Sequence, residues 1–321
     1  MATSSPVATP HLEITQPVSS PPVAFIIFKR PDTTQAVFNV IRQVQPKTLL
    51  VIADGPRPDR EGEAEKCAQT RAIIDQVDWD CEVLKCYSDT NLGLGTRIAT
   101  GLSWVFEQVE EAIILEDDCL PDPSFFQFCK EMLDSYRDDS RIMSVSGCLF
   151  AKSPIPDSYY FSHYLSCWGW ATWRRAWEQF DFGMPGWQER RGQNWLTDYL
   201  GDRAIADLWT QRFDSICDPS RNDIWSYQFQ YACWLQNALS IRSNVNLITN
   251  VGIGADSTHT KQVVSDTPFD TLDAMCFPLS HPATVQRDLE GDRLQEKYLL
   301  SRANPSVLTR IKRKLKTLLS N

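Results

Sequence analysis

The stretch VAFIIFKRPDTTQAVFNVIRQVQPKTLLVIAD (residues 23–54) contains a strand, a helix and a second strand in direct succession. Its first six residues form an unbroken apolar run, which is typical of a strand buried on both faces. The middle predicts a helix with Asp32 as its N-cap and apolar residues at helical spacing. The second strand, 48–54, is stopped by Gly55 and Pro56. Two strands joined by a helix predict parallel pairing through a right-handed crossover.

The same alternation continues along the chain. A helix is predicted from residue 63 to about 77, then a strand over 81–88, and the turn NLGLG (91–95) leads into another helix. The run EAIILEDD (111–118) is the fourth strand, and a further helix and a strand ending near Gly147 follow it. This pattern predicts an α/β fold whose mostly parallel sheet is covered by helices on both faces.

Polar residues follow three of these strands. Lys29, Arg30 and Pro31 come after the first, Asp54 and Gly55 after the second, and Glu116, Asp117 and Asp118 after the fourth. Ligands of such sheets bind beyond the carboxyl ends of the strands. An isolated acidic pair would suit a solvated turn, but its coincidence with two other polar strand ends favours a site. Three adjacent carboxylates resist ionisation together, so we expect a positive partner beside them.

The acidic run has the chemistry of a divalent-cation site. Hard oxygen ligands suit Mg²⁺ or Mn²⁺, which typically take one or two protein carboxylates together with substrate phosphates. Such an ion neutralises the charge that develops on a leaving diphosphate. The glycine-rich turn NLGLG is neither a P-loop nor a dinucleotide-binding fingerprint. The run therefore predicts transfer of a group from a nucleoside diphosphate.

The second half of the chain is rich in aromatic residues. Most of the eleven tryptophans lie in segments such as CWGWATWRRAW and DIWSYQFQYACW. Flat rings suit the faces of sugars. The alternative is that these side chains build a second small core.

Composition and charge narrow the class of protein. The net charge of −9 argues against nucleic-acid binding by the body of the protein. Ten cysteines without a regular framework predict reduced thiols and a cytoplasmic protein. The N-terminal segment, residues 1–22, is rich in Ser, Thr and Pro, lacks signal-peptide character and is predicted to be disordered.

The C-terminal segment PSVLTRIKRKLKTLLSN (305–321) carries five basic residues and no acid. As a helix it would have an apolar stripe and a basic face. Such a helix can lie peripherally on an anionic membrane, at the inner face for a cytoplasmic protein. The alternative is that it packs against the acidic body of the chain.

In arrangement, residues 22–260 resemble the GT-A glycosyltransferases, in particular family-2-like bacterial enzymes related to N-acetylglucosaminyltransferase I. The segments that carry the resemblance are FIIFKRPD, VIADG, AIILEDDCLPDPSFFQF, SVSG, CWGWATWRRAWEQF and GIGADSTH, in this order. The resemblance implies a Rossmann-like GT-A fold and a metal-dependent, inverting transferase that uses a nucleotide-sugar donor. Its acceptor would be a glycan, a lipid-linked sugar or another hydroxyl compound.

The resemblance also implies roles for individual residues. Arg30 and Asp54 would contact the nucleotide base, and Asp117 the ribose and sugar. Asp118 would bind the metal, Mn²⁺ or Mg²⁺. The other residues implied are Glu116 at the donor sugar, Arg97 at the diphosphate, Trp168 and Gly169 lining the cleft, and His259 near the diphosphate or metal.

The catalytic base departs from the family pattern. The family keeps an aspartate directly after a tryptophan, whereas this chain has Ser226 after Trp225. A serine cannot act unaided as a base at neutral pH. Asp223 is the first candidate for the role, ahead of Asp256 and Asp181.

The predicted organisation has four parts. They are the tail 1–22, a nucleotide-sugar-binding half 23–150, an acceptor and catalytic half 151–265, and a C-terminal extension 266–321. Phosphoryl transfer in a receiver-like domain is a competing hypothesis, but such a domain would be far shorter. A non-catalytic protein that binds nucleotide sugars or carbohydrate is the other, and Ser226 keeps it open.

Overall fold

A computed structural model describes residues 20–150, 154–217, 223–252 and 271–303. Within these ranges the strands are β1 (Val23–Ile27), β2 (Thr48–Ala53), β3 (Glu82–Tyr87), β4 (Glu111–Glu116), β5 (Cys119–Pro121), β6 (Ile142–Ser146), β7 (Tyr159–Ser162), β8 (Trp170–Trp173), β9 (Leu239–Ser243) and β10 (Ile248–Asn250). The helices are α1 (Pro31–Val44), α2 (Glu63–Ala72), α3 (Leu94–Gln108), α4 (Ser124–Ser135), α5 (Arg174–Trp177), α6 (Trp187–Arg191), α7 (Trp195–Leu200), α8 (Arg203–Ile216), α9 (Ser226–Leu235) and α10 (Leu289–Ala303).

Eight strands form one sheet in the order β3-β2-β1-β4-β8-β6-β9-β7. Strands β3, β2, β1 and β4 are parallel neighbours, as are β6 and β9. Strand β8 is antiparallel to both β4 and β6, and β7 is antiparallel to β9. The predicted α/β fold with a mostly parallel sheet is confirmed. The chain runs outward from β1 to β3 and returns to β4 on the other side of β1, so the topology switches direction between β1 and β4.

Both faces of the sheet are covered by helices, as predicted. Strand side chains alternate between the faces, so Val23, Phe25 and Ile27 pack in one apolar cluster with α1 and α4. Ala24 and Ile26 face the opposite cluster, which contains residues of α3 and α9. Every residue of β1 is buried, which explains its unbroken apolar run.

A third apolar cluster lies in the second half of the chain, among α6, α7, α8 and α9. Trp187, Trp209 and Trp234 are buried in it, at 2 %, 5 % and 1 % exposure. Trp170 and Trp173 are buried in β8. Most of these aromatic residues therefore build core, the alternative that the sequence left open.

Two helix boundaries differ from the prediction. Helix α1 begins at Pro31 with Arg30 at the N-cap, so Asp32 lies in the first turn and is not the cap. Proline is favoured there because it lacks the N–H that would be left unpaired and its φ already suits a helix. Helix α2 ends at Ala72, and a 3₁₀ turn, Ile73–Gln76, replaces its predicted end.

Helix α10 belongs to the predicted C-terminal extension and packs against β7 and α8. Its fully buried Asp292 accepts hydrogen bonds from the Ser162 hydroxyl, the His163 amide and Arg287. Residues 1–19, Asp256, His259 and the basic segment 305–321 lie outside the described residues. Across the described ranges, none of the helices has the length and apolar character needed to cross a bilayer. All ten cysteines are described and free, five of them buried.

Candidate active site

The acidic run lies at the switch point between β1 and β4. Ile26 of β1 is in register with Glu116, the last residue of β4, so the residues that follow both strands meet at one edge of the sheet. Arg30 Nη2 lies 2.5 Å from Asp117 Oδ1 and 3.0 Å from Asp118 Oδ2. The Phe28 amide donates a 3.3 Å hydrogen bond to Asp117 Oδ2. Arg30 is therefore the positive partner that the three acids require.

Burial sets the electrostatics of this cluster. The Asp117 side chain is 5 % exposed and that of Asp118 is 14 % exposed. Burial raises the pKa of Asp117, which the Arg30 charge opposes and the Asp118 charge reinforces. Burial also raises the pKa of Glu116, and both neighbouring aspartates add to that shift. The cluster therefore favours binding of positive charge or of protons.

A second segment, more than a hundred residues away in the sequence, also contacts Asp118. Strand β10 pairs antiparallel with β5, and the Val251 amide donates a 2.8 Å hydrogen bond to the Asp118 carbonyl. A Cβ atom on Gly252 would lie only 2.6 Å from Asp118 Oδ2, so only glycine allows this approach. Gly252 begins the segment GIGADSTH, whose Asp256 and His259 lie outside the described residues.

Asp54 accepts hydrogen bonds from the loop that leads into α3. Its two carboxylate oxygens accept hydrogen bonds from the amides of Gly55, Leu92 and Gly93 and from Asn91 Nδ2, at 2.9 to 3.2 Å. Burial raises its pKa, and the amide hydrogen bonds oppose that shift. The carboxylate holds the start of α3 at the end of β2, and a direct contact with a base would compete with these bonds.

Arg97 also makes structural contacts. Its side chain is buried, and Nη2 donates to the Cys86 carbonyl and lies 3.1 Å from Cys86 Sγ, which ties α3 to β3. The predicted contact with a diphosphate would require the guanidinium to leave these partners.

An ion-pair cluster that the sequence analysis missed flanks the site. Glu63 is 4 % exposed and pairs with Lys29 Nζ at 2.6 Å and with Arg57 Nη2 at 2.5 Å. The Arg57 hydrogen bonds lower the pKa of Glu63 to about 2, against the opposing effect of burial, and Lys29 contributes to the lowering. Lys29 was visible as a polar residue at a strand end, but its distant partner Glu63 gives no local signal.

A cavity of about 310 Å³ with several aromatic residues in its wall, the aromatic cavity, is lined by Trp168, Cys167 and Ser226 among others, and Cys167 lies within electrostatic range of Glu116. Burial raises the pKa of the Cys167 thiol to about 12, and the nearby Glu116 charge adds to the shift. Trp168 thus lines a cavity in this structure, and its role at a donor and acceptor cleft stays a prediction. Gly169 has a positive φ of 61° and packs against Ile248 of β10, which leaves no room for a Cβ atom.

The candidate bases differ in environment. Asp223 is half-buried and precedes Trp225, whose ring stacks on Trp170 at 5.4 Å. The start of α9 thereby brings Ser226 to the cavity. Asp181 is exposed and accepts a 2.7 Å hydrogen bond from the Gly183 amide.

The described part of the chain contains no complete set of protein ligands for a metal ion. No group of three or more His, Cys, Asp or Glu residues is arranged there to hold a metal ion. Asp118 is the more exposed aspartate of the cluster, and among the described residues its Oδ1 is contacted by Cys119 Sγ at 3.5 Å, so it can offer one carboxylate ligand.

No known family model matches the chain, and no curated protein matches its sequence. Among solved structures, apo UDP-glucose pyrophosphorylase has a TM-score of 0.36 and 9% identity, over 69% of this chain and 90% of that one. Mouse xyloside xylosyltransferase 1 has a TM-score of 0.34 and 8% identity, over 66% and 81%. The 4-diphosphocytidyl-2C-methyl-D-erythritol synthase of Anaerococcus prevotii has a TM-score of 0.32 and 10% identity, over 68% and 97%. Scores this low carry no functional assignment, so the function must be argued from the site itself.

Proposed function

We propose that this chain is a glycosyltransferase that moves a sugar from a nucleoside-diphosphate donor to an acceptor hydroxyl, with inversion. The observation that carries the proposal is the position of Glu116, Asp117 and Asp118 at the switch point between β1 and β4. In open α/β sheets this crevice is where nucleotides bind. The aromatic cavity beside it supplies the surface that a sugar acceptor needs.

A divalent cation, Mn²⁺ or Mg²⁺, is part of the proposal. Asp118 would hold it, with His259 as the second candidate ligand. Because the described residues offer no complete ligand set, the donor's phosphates would supply further ligands, as is common for Mg²⁺ sites. When bound, the ion would neutralise negative charge on the leaving diphosphate.

The chain's own residues have separate tasks in this scheme. Arg30 and the Phe28 amide fix the Asp117 carboxylate, which orients it toward the donor. Trp168 presents a ring at the cavity, where it can pack on a sugar face. Asp223, just before α9, is the proposed base that removes the proton from the acceptor hydroxyl.

Donor binding is the direct test. We expect one of the UDP-, GDP- or dTDP-sugars to raise the melting temperature of the protein, and to do so only with Mn²⁺, because a ligand of the native state stabilises it. A CMP-sugar, which has a single phosphate, should not. The Asp118→Ala variant should lose this shift and keep its fold, since Arg30 still pairs with Asp117. Asp59→Asn, at an exposed acid, is the matched control. An undiminished Mn²⁺-dependent shift in Asp118→Ala would contradict the assignment.

A non-catalytic protein that binds nucleotide sugars is the second candidate function. The observation in its favour is Ser226, which lines the cavity. Ser226 follows Trp225 in the sequence, at the position where the resembled family keeps its aspartate. Turnover separates the two candidates. Release of free nucleotide from a bound donor, by transfer or by slow hydrolysis, supports the enzyme, and donor binding without any release supports the binding protein.

A further inference from the structure

The aromatic cavity beside the acidic cluster contains a basic residue that the proposed reaction does not use. Arg212, on α8, lines the cavity together with Cys167 and Trp168. Its guanidinium carbon lies 4.5 Å from the centre of the Trp209 ring and 5.4 Å from that of Tyr227. The two rings thus hold the guanidinium group at the wall of the cavity.

The charge of Arg212 has no carboxylate partner among the residues that the structure describes. Two other arginines of this half of the chain do have carboxylate partners, since Arg191 binds Asp214 at 2.7 Å and Arg287 binds Asp292 at 2.6 Å. Burial lowers the pKa of Arg212, and the interactions with Tyr227 and Tyr164 oppose that shift. A half-buried cation without a counter-ion is unfavourable unless a ligand supplies the negative charge.

A second unused donor lies in the same wall. Trp209 is 5 % exposed, and within the described ranges its Nε1 has no hydrogen-bond partner. Buried indole N–H groups are normally paired. Trp209 and Arg212 together present an indole N–H and a cation to the cavity.

Arg302, at the end of α10, is a second cation at this cavity. It is exposed, and its Nη1 donates a 2.9 Å hydrogen bond to the Tyr298 hydroxyl. The cavity therefore has positive charge from Arg212 and Arg302, and its Cys167 lies near enough to Glu116 for that carboxyl group to act on the thiol. A ligand with one anionic end and one neutral end fits this polarity, with its neutral end toward the acids.

We propose that this cavity binds an acceptor sugar that carries an anionic group, a carboxylate or a phosphate ester, and that Arg212 pairs with that group. The inference rests on the proposed transferase function and specifies its acceptor class. The planar guanidinium can make two parallel hydrogen bonds to a carboxylate or a phosphate, and the rings provide the surface for the sugar. The acceptor hydroxyl would then face the acidic cluster and the donor.

Matched sugars test the proposal without donor or metal, so the result does not depend on Asp118. Methyl β-glucuronide, methyl β-glucoside and the phosphate monoester of the same glucoside would be titrated into the full chain and followed by ligand-observed NMR. We expect at least one anionic sugar to bind about tenfold or more tightly than the neutral glucoside, the scale of one charge-assisted hydrogen bond. The anionic sugar that binds more tightly tells whether Arg212 pairs with a carboxylate or with a phosphate ester.

Four variants test whether Arg212 causes the preference for the anionic sugar. Arg212→Gln should lose the preference for the anionic sugar, and Arg212→Lys should keep part of it because the charge remains. Arg203→Gln, at an exposed position on the same helix, should behave as the wild type. The Asp118→Ala variant should bind the anionic sugar normally even though it loses donor binding.

Several outcomes would overturn the proposal. They are equal affinity of the wild type for glucuronide, phosphate ester and glucoside, no binding of either anionic sugar, or an unchanged preference in Arg212→Gln. Inorganic phosphate that binds as tightly as the sugar ester would also overturn it, because the cavity would then be an anion site with no part in sugar recognition. The wild-type comparisons hold even if Arg212→Gln fails to fold.

Discussion

Replacement of Arg30 by glutamine should destabilise the protein, and more so at higher pH. Arg30 is the counter-ion of Asp117 and Asp118, and the Asp117 side chain is only 5 % exposed. Removing one partner of a buried ion pair costs about 3–5 kcal/mol. Because Arg30 itself is 27 % exposed, water would screen part of the loss. We expect a decrease of about 2–3 kcal/mol in the free energy of unfolding near pH 8.

The pH dependence follows from the raised pKa of Asp117. A carboxyl group whose folded pKa lies above its unfolded value binds more protons in the folded state, so stability falls as pH rises between the two values. Without Arg30 the folded pKa would rise further, and the loss would extend to higher pH. The deficit of Arg30→Gln should therefore shrink near pH 5, where the folded protein can protonate the cluster.

Urea unfolding with a metal chelator present measures this difference at both pH values. Arg42→Gln is the matched control, because Arg42 lies on the same helix and pairs with Asp78 on the surface, where water screens the ion pair and leaves it little effect on stability. The double variant Arg30→Gln/Asp117→Asn should recover part of the stability, since the buried charge is then removed. An Arg30→Gln variant as stable as Arg42→Gln at pH 8 would refute the reasoning.

Three further predictions concern other carboxylates. Asp54→Asn should lower the unfolding free energy by about 2 kcal/mol in urea titrations, because Asn91 Nδ2 and the Gly93 amide then lose the oxygen that accepts their hydrogen bonds. Unchanged stability would contradict the role of Asp54 in holding this loop. Glu63→Gln should lower the free energy of unfolding by about 1–2 kcal/mol at neutral pH. This difference should disappear as pH falls from about 4.5 to about 2, because Arg57 and Lys29 stabilise only the ionised carboxylate and thereby lower its pKa. A difference that stays constant over this pH range would contradict the link between ionisation and stability. Asp223→Asn should lose sugar transfer but keep the Mn²⁺-dependent melting shift, and wild-type turnover would move the search for the base to Asp256.

Local sequence patterns predicted the alternating strands and helices of the first half of the chain. The apolar run of β1 and the turn residues that end β2 depend on neighbouring residues, so the sequence alone located them to within one or two residues. The carboxyl ends of parallel strands share an edge, which is why the polar residues after β1, β2 and β4 were predicted to lie at one edge of the sheet. Arg30 was given a base contact, however, and its pairing with Asp117 could not be predicted without side-chain geometry.

Long-range pairing was the part that the sequence did not reveal. Strands β5 and β10 are more than a hundred residues apart, and only their pairing brings Gly252 against Asp118. The docking of Asp292 under β7 depends in the same way on contacts distant in sequence. The Arg212 cavity combines α8, α9 and α10 with the segment after β7, and none of these carries a recognisable motif.

The geometry of Arg30 also determines how a cation can enter the site. Its Nη2 is closer to Asp117 than to Asp118, and Asp117 is held in addition by the Phe28 amide. A divalent ion at Asp118 would repel the guanidinium, and Asp117 would retain it. The negative charge of a donor diphosphate would offset both cations, so ion and nucleotide should bind cooperatively.

Manganese titrations with and without UDP measure this coupling. We expect the apparent Mn²⁺ affinity to rise about tenfold or more when UDP is present, beyond the affinity of Mn²⁺ for UDP in solution, which is a coupling of about 1.4 kcal/mol. Arg30→Gln should bind Mn²⁺ alone more tightly than the wild type, because the ion would then be the only positive charge at the acids. Tight stoichiometric Mn²⁺ binding by the wild type without nucleotide would contradict this reasoning, since it would require a complete ligand set from the protein itself.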